Sequence, residues 1–92
     1  MPILVIAEQP GGTAEQDKAM TEALNLANDP APGARARLAG PTDGGWRIVS
    51  LWDSREAFDA FVRDRLTPAL TQAGRPVPSF QFWPIESVIM MR

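Results

Sequence analysis

The chain has no cysteine, no histidine and no tyrosine. The first absence excludes disulfides, thiolate nucleophiles and cysteine-held metals. The other two remove the usual general base, the usual haem ligand and the phenolic acid. Lysine occurs once, at Lys18, against eight arginines; no basic run exists and the formal net charge is −2. That balance argues against nucleic acid as a partner. No apolar run reaches the ~18–20 residues that cross a bilayer, so no membrane partner is expected. The opening Met1-Pro2-Ile3-Leu4-Val5-Ile6 lacks the basic region and small-residue cleavage site of a signal peptide, and a cytoplasmic location is expected. The preference for arginine and alanine fits a GC-rich bacterial genome.

What is present is a globular balance: 92 residues, 45% hydrophobic and 22% charged. We expect one domain, 1–92. A chain this short buries a modest share of its surface, and association is a common remedy.

Pro2–Glu8 is a short β-branched apolar run and reads as a strand. Pro10-Gly11-Gly12 breaks it. Thr13, with Gln16 three residues on, marks a helix start, and Glu15 and Asp17 suit the positive end of the helix dipole. Apolar residues at Ala19/Met20, Ala23/Leu24 and Ala27 carry the helical period to Asn28-Asp29-Pro30, which should end it. Ala34–Thr42 alternates as a strand, with Arg35 and Arg37 on one face. Asp43-Gly44-Gly45 is a hairpin turn, and Trp46–Asp53 is the strongest strand. Ser54 caps a second helix to about Ala73, with Pro68 expected to kink or break it. Phe80–Met91 is a last strand interrupted at Pro84, which suits an edge. With right-handed crossovers, β-α-β-β-α-β builds an α+β, ferredoxin-like fold: a four-stranded antiparallel sheet with two helices on one face.

Two helices cover one sheet face, yet the strands are apolar on both. Ile3 and Val5 oppose Leu4 and Ile6; Trp46, Ile48 and Trp52 oppose Val49 and Leu51. A second copy packed sheet to sheet would cover the other face, so a homodimer is expected.

Trp46 and Trp52, with Ser50 between them, form either a flat wall for an aromatic ligand or a packing surface. Arg37, with Arg35 and Arg47, offers charge for a carboxylate or phenolate, or simply edge charge that blocks aggregation. Asn25 could reach between helix and sheet to orient a ligand carbonyl. Glu8, Asp53 and Glu86 are scattered acid–base candidates. Carboxylates alone show no metal-loop spacing, so no metal site is expected. Pro10-Gly11-Gly12-Thr13 could hold an anion on free N–H groups, or be a plain turn with a cap.

The segment Trp46-Arg47-Ile48-Val49-Ser50-Leu51-Trp52-Asp53-Ser54-Arg55-Glu56-Ala57-Phe58 resembles the strand-to-helix segment of the dimeric α+β barrel superfamily, closest to its antibiotic biosynthesis monooxygenase-like branch. There a Trp ends the third strand, an acidic-Ser pair follows, and Ala with an aromatic opens the second helix. The topology and length agree over nearly the whole chain. The resemblance implies a homodimer and a small-molecule site. Branch members often carry a histidine where this chain has Phe61, and haem-using relatives need an axial histidine. What the resemblance leaves is a cofactor-free monooxygenase-like activity on, or binding of, a planar aromatic or phenolic compound. Trp46, Ser50, Trp52, Asn25, Arg37 and Phe61 would shape that site. The alternatives are a non-catalytic dimeric ligand-binding or protein-interaction module, and a decayed enzyme whose pocket side chains such as Phe61 have filled.

Overall fold

The structure is a computed structural model describing residues 1–89 and 91. Four strands, β1 (Ile3–Pro10), β2 (Ala34–Thr42), β3 (Gly45–Trp52) and β4 (Ser79–Pro84), form one antiparallel sheet in the order β2-β3-β1-β4. This is the α+β, ferredoxin-like arrangement expected from the element order. Helix α1 (Ala14–Ala23) connects β1 to β2. Helix α2 (Arg55–Phe61), a π-helical turn (Val62–Leu66) and helix α3 (Thr67–Gln72) run without a break between β3 and β4.

The register fixes the faces. Ile3, Val5 and Ala7 of β1 pair with Trp52, Ser50 and Ile48 of β3 and with Pro84, Phe82 and Phe80 of β4. These residues face the helices, and Ile3, Val5 and Trp52 form a buried cluster with Phe58 of α2 and Ala31. Phe58 is the hub of the aromatic packing, edge-on to Trp52 at 5.3 Å, Phe80 at 5.0 Å and Phe82 at 5.6 Å. The opposite face carries Leu4, Ile6, Val49 and Leu51, all half-buried, with Leu38 (65% exposed) and Trp83 (54% exposed) beside them. Both sheet faces are apolar, as the strand pattern implies.

Local chemistry explains most boundaries. Thr13 Oγ1 accepts the Gln16 amide (3.1 Å) and Ser54 Oγ accepts the Ala57 amide (3.1 Å), each satisfying a free helix N–H. Gly33, at φ +84°, lies so close to α2 that an added Cβ would sit 2.6 Å from Ala57 Cβ. The 31–34 turn therefore packs directly on the helix.

Four expectations are corrected or refined. First, α1 ends four residues before Ala27. Asn25 adopts φ +54°, its amide bonds Glu22 O (3.0 Å) and the Leu26 amide bonds Thr21 O (3.2 Å). That is the paired closure of a helix C-terminus, with asparagine in the left-handed position. Second, the β2–β3 register shifts between Ala34 and Ala36. Ala34 opposes Trp52 and Arg37 opposes Ser50, so Ala34 and Arg37 share the helix-facing side despite odd spacing. Third, the α-helix is divided in two just ahead of Pro68, as a proline there implies, but by a π turn that keeps the chain helical throughout. The Thr67 amide reaches back five residues to Val62 O, the wide turn a proline can follow without an α-helical partner at its own nitrogen. Fourth, β4 stops at Pro84. Ile85 makes one further bond from its amide to Pro2 O (2.9 Å), and Val88, Ile89 and Met91 are exposed outside any strand; Met90 lies outside the described residues. Pro84 does end an edge strand, as its chemistry requires.

No helix among the described residues is long and apolar enough to cross a membrane.

Candidate functional site

Between the helix-facing side of the sheet and the helices lies a cavity of about 240 Å³. Its floor is Val5, Ala7 and Gln9 of β1 with Ile48, Ser50 and Trp52 of β3. Met20, Thr21 and Leu24 of α1 form one wall, and Phe58, Phe61 and Leu66 the other. Leu26, Pro30 and Ala31 close the end where α1 gives way to the 24–31 loop, and Ala34 to Arg37 line the β2 side. The volume lies somewhat below that of ordinary ligand sites (~300–1,000 Å³), and the lining is largely apolar with few polar groups.

Those polar groups are specific. Trp52 Nε1 donates to Ser50 Oγ at 2.9 Å, which fixes the indole and leaves the hydroxyl its own proton to donate. Directly across the ladder, Arg37 makes a two-pronged pair with Asp17 of α1: Nη1 donates to Oδ2 at 3.2 Å and Nη2 to Oδ1. The pair ties β2 to α1 over the cavity's edge. Arg35, the residue at the register shift, instead donates from Nε to Asp53 Oδ1 at 2.5 Å. The two arginines are thus held by different carboxylates and form no joint clamp. Arg47 pairs with Glu8 at 2.5 Å on the far face of the sheet, remote from both.

Of the six residues singled out in the sequence, Ser50, Trp52, Arg37 and Phe61 line the cavity together. Phe61 stacks tilted against Trp52 at 5.2 Å, narrowing it. Asn25 is exposed and does not line it; its side chain accepts from Asn28 Nδ2 at 3.1 Å, and its backbone ends α1. Trp46 is on the expected sheet face but lies beyond the cavity, under the β1–α1 turn. The Pro10–Thr13 turn is no anion cradle, because Gly11 N bonds Gly44 O (2.8 Å) and Gly12 N bonds Gln9 O (2.9 Å).

Sequence reasoning passed over three residues. Asp17 suits the positive end of the helix dipole, and its pairing with Arg37 is visible only in the tertiary structure. Gln9 carries a usable signal: it is the polar member of the inward series Val5, Ala7, Gln9. Arg65, on the π turn, donates from Nη2 to Leu24 O (2.6 Å) and Asp29 O (2.9 Å), latching both ends of the loop that closes the cavity. Its i, i+4 spacing from Phe61, whose ring it overhangs at 6.0 Å, was the trace available. On the exposed side of the same turn, Arg63 hydrogen-bonds Asp64 (2.8 and 3.0 Å) and holds its carboxyl below the usual carboxylate range.

No family model and no curated protein sequence matches the chain. Solved structures do. Rv0793 from Mycobacterium tuberculosis superposes with a TM-score of 0.70 at 18% identity, over 97% of this chain and 100% of that one. A Chloroflexus aurantiacus protein provisionally described as an antibiotic biosynthesis monooxygenase gives 0.63 at 18% identity, over 96% and 97%. SnoaB, a cofactor-independent oxygenase from Streptomyces nogalater, gives 0.63 at 12% identity, over 96% and 95%. The chain has the fold of the antibiotic biosynthesis monooxygenase-like proteins. At such identities the likeness carries fold alone, and one fold hosts many chemistries. What this antibiotic biosynthesis monooxygenase-like fold does here has to be argued from its own cavity.

Proposed function

We propose that the cavity binds a planar aromatic molecule bearing a phenolic hydroxyl, and that the protein acts on it as a cofactor-free monooxygenase. The observation that carries this is the polar corner in an otherwise apolar cavity: Ser50 with a proton to donate, beside the Arg37–Asp17 pair. A flat ring fits against Trp52 and Phe61, its oxygen directed to Ser50 and Arg37. An electron-rich phenolate can reduce O₂ without a helper, so the protein need only desolvate it and offset its charge. The balance closes: a 1-naphthol-type ring takes one oxygen atom at the carbon opposite its hydroxyl. It gives up two hydrogens and becomes a 1,4-quinone, while the second oxygen leaves as water. The cofactor-independent oxygenase among the structural neighbours supports this reading. The covered sheet face of a homodimer is part of the same proposal.

A second reading, saturable binding without turnover, is favoured by one fact: among the described residues no carboxylate lines the cavity, and Asp17 and Asp53 are both paired with arginines that do. The experiment that separates the two adds 1,8-dihydroxynaphthalene. Trp52's indole N–H resonance should move on binding, and an oxygen electrode should record uptake above the spontaneous rate, with quinone as product. Movement without uptake selects the binding module. No movement with a panel of naphthols removes the cavity as a site.

A further inference from the structure

Buried donors without a partner are rare and call for an explanation. Among the described residues Trp46 Nε1 is such an atom. Its neighbour directly across the β1–β3 ladder is Gln9, whose side chain lines the far end of the cavity. Cross-strand neighbours place their Cβ atoms about 5 Å apart, within reach of a carboxamide, yet Gln9 does not accept the indole proton in this structure. Gly12 closes over the pair: an added Cβ there would stand 2.9 Å from Trp46 Cβ and 3.1 Å from Gln9 Cβ. The indole nitrogen itself is buried.

The geometry points to Gln9 as a specificity-determining residue that anchors a second oxygen on the ligand, with Trp46 positioning it. The carboxamide has two ends. Its NH₂ group donates to a ligand hydroxyl or carbonyl, and its oxygen then turns to accept Trp46 Nε1–H, satisfying the orphan donor. Bound ligand thus completes a chain from ligand oxygen through Gln9 to Trp46. The spacing sets the ligand class. Ser50 pairs with Val5, four residues along β1 from Gln9, which is about 13 Å of strand. A fused two-ring ligand with an oxygen at each end, making hydrogen bonds of ~2.8 Å at both, spans it. The site would therefore take elongated aromatics oxygenated at both ends, in preference to those with one polar group. This rests on the cavity reading above and deepens it.

Calorimetry on the intact protein with 2-naphthol and 2,6-dihydroxynaphthalene tests the inference. The second hydroxyl should tighten binding by roughly three- to tenfold, and Gln9→Leu should remove that difference. In the unmodified protein, the Trp46 indole N–H resonance, assigned by its loss in Trp46→Phe, should move downfield with the diol and stay in place with 2-naphthol. Equal affinity for the two probes, or a Trp46 resonance blind to the second hydroxyl, overturns the Gln9 anchor and leaves the cavity reading standing. Failure of 2-naphthol to bind at all overturns both. If Gln9→Leu does not fold, the Trp46 resonance alone decides.

Discussion

Arg37 brings a positive charge to the cavity lining, and Asp17 is the carboxylate that pairs with it. The pair is partly exposed, with side-chain exposures of 31% and 13%, so it contributes modestly to stability. Its larger effect is to neutralise the guanidinium carried at the ladder position opposite Ser50. Asp17→Asn leaves that cation uncompensated. We expect roughly three- to tenfold tighter binding of 2-naphthoate at low salt, fading as salt is raised, against a stability loss of about 0.5–1 kcal/mol. Unchanged naphthoate affinity would show that ligands in the cavity do not sense Arg37. Phe58 is the opposite kind of residue. It is buried, touches three other rings and offers no polar atom. Phe58→Ala should lower unfolding free energy by about 3–5 kcal/mol in a denaturant titration. Asp64 sets the acid side of the residue scale. Its folded carboxyl is held low by Arg63, so whatever stability the pair adds is present above the unfolded carboxylate range and lost as pH falls through the lower folded value. Arg63→Gln should raise the Asp64 titration midpoint in a carboxyl-detected NMR titration.

At the scale of elements, the cavity is closed by a loop held at two points, the Asn25 turn and the Arg65 latch. Asn25 accepts φ +54° at some strain that glycine would not feel. Asn25→Gly should therefore raise stability by roughly 0.5–1 kcal/mol, and Asn25→Ala should lower it, both read from thermal melts. Neither should alter naphthol affinity, since the side chain is outside the cavity. Arg65→Ala should speed hydrogen exchange across 24–31 while leaving β1 and β3 amides protected. These elements also mark how far the sequence could be read. The strands were legible because β-branched runs bounded by Gly and Pro repeat on a two-residue period, and both caps were legible because Thr13 and Ser54 sit just before helical periods. The end of α1 was not, because Ala27 keeps the period past the turn and a left-handed asparagine leaves no mark in the sequence. The β2 register shift was hidden by a perfect Ala-Arg alternation, which placed Arg35 and Arg37 together. The π turn announced itself only through Pro68, which reads equally well as a kink. For the site, Trp52, Ser50 and Phe61 followed from strand and helix phase, while Asp17 and Arg65 depend on contacts between elements far apart in the chain.

At the scale of the whole molecule the surface is too large. A monomer of 10.0 kDa is expected to expose roughly 5,200 Å², whereas this chain exposes 6313 Å². The excess of about 1,100 Å² exceeds the ~800 Å² each partner gives to an ordinary interface. Part of it is the exposed stretch of Val88, Ile89 and Met91, and part is the sheet face of Leu4, Ile6, Val49, Leu51, Leu38 and Trp83. The strand pattern made that face legible, since a strand apolar in both phases calls for burial on both sides of the sheet. A second copy on this face predicts that the melting temperature rises with protein concentration, because association favours the folded state by mass action. It predicts that Trp83 emission shifts to the red on dilution as its ring returns to water. It also predicts that Val49→Lys, a charge on the half-buried far face, sediments as a monomer. Should Val49→Lys unfold instead, the concentration dependence of the unmodified protein still decides. A melting temperature and Trp83 spectrum independent of concentration over a thousandfold range, with a monomer mass in sedimentation, would leave the apolar face to some other partner and remove the homodimer from the proposal. The cavity lies on the other side of the sheet, so naphthol binding should then survive, and the two halves of the proposed function would part.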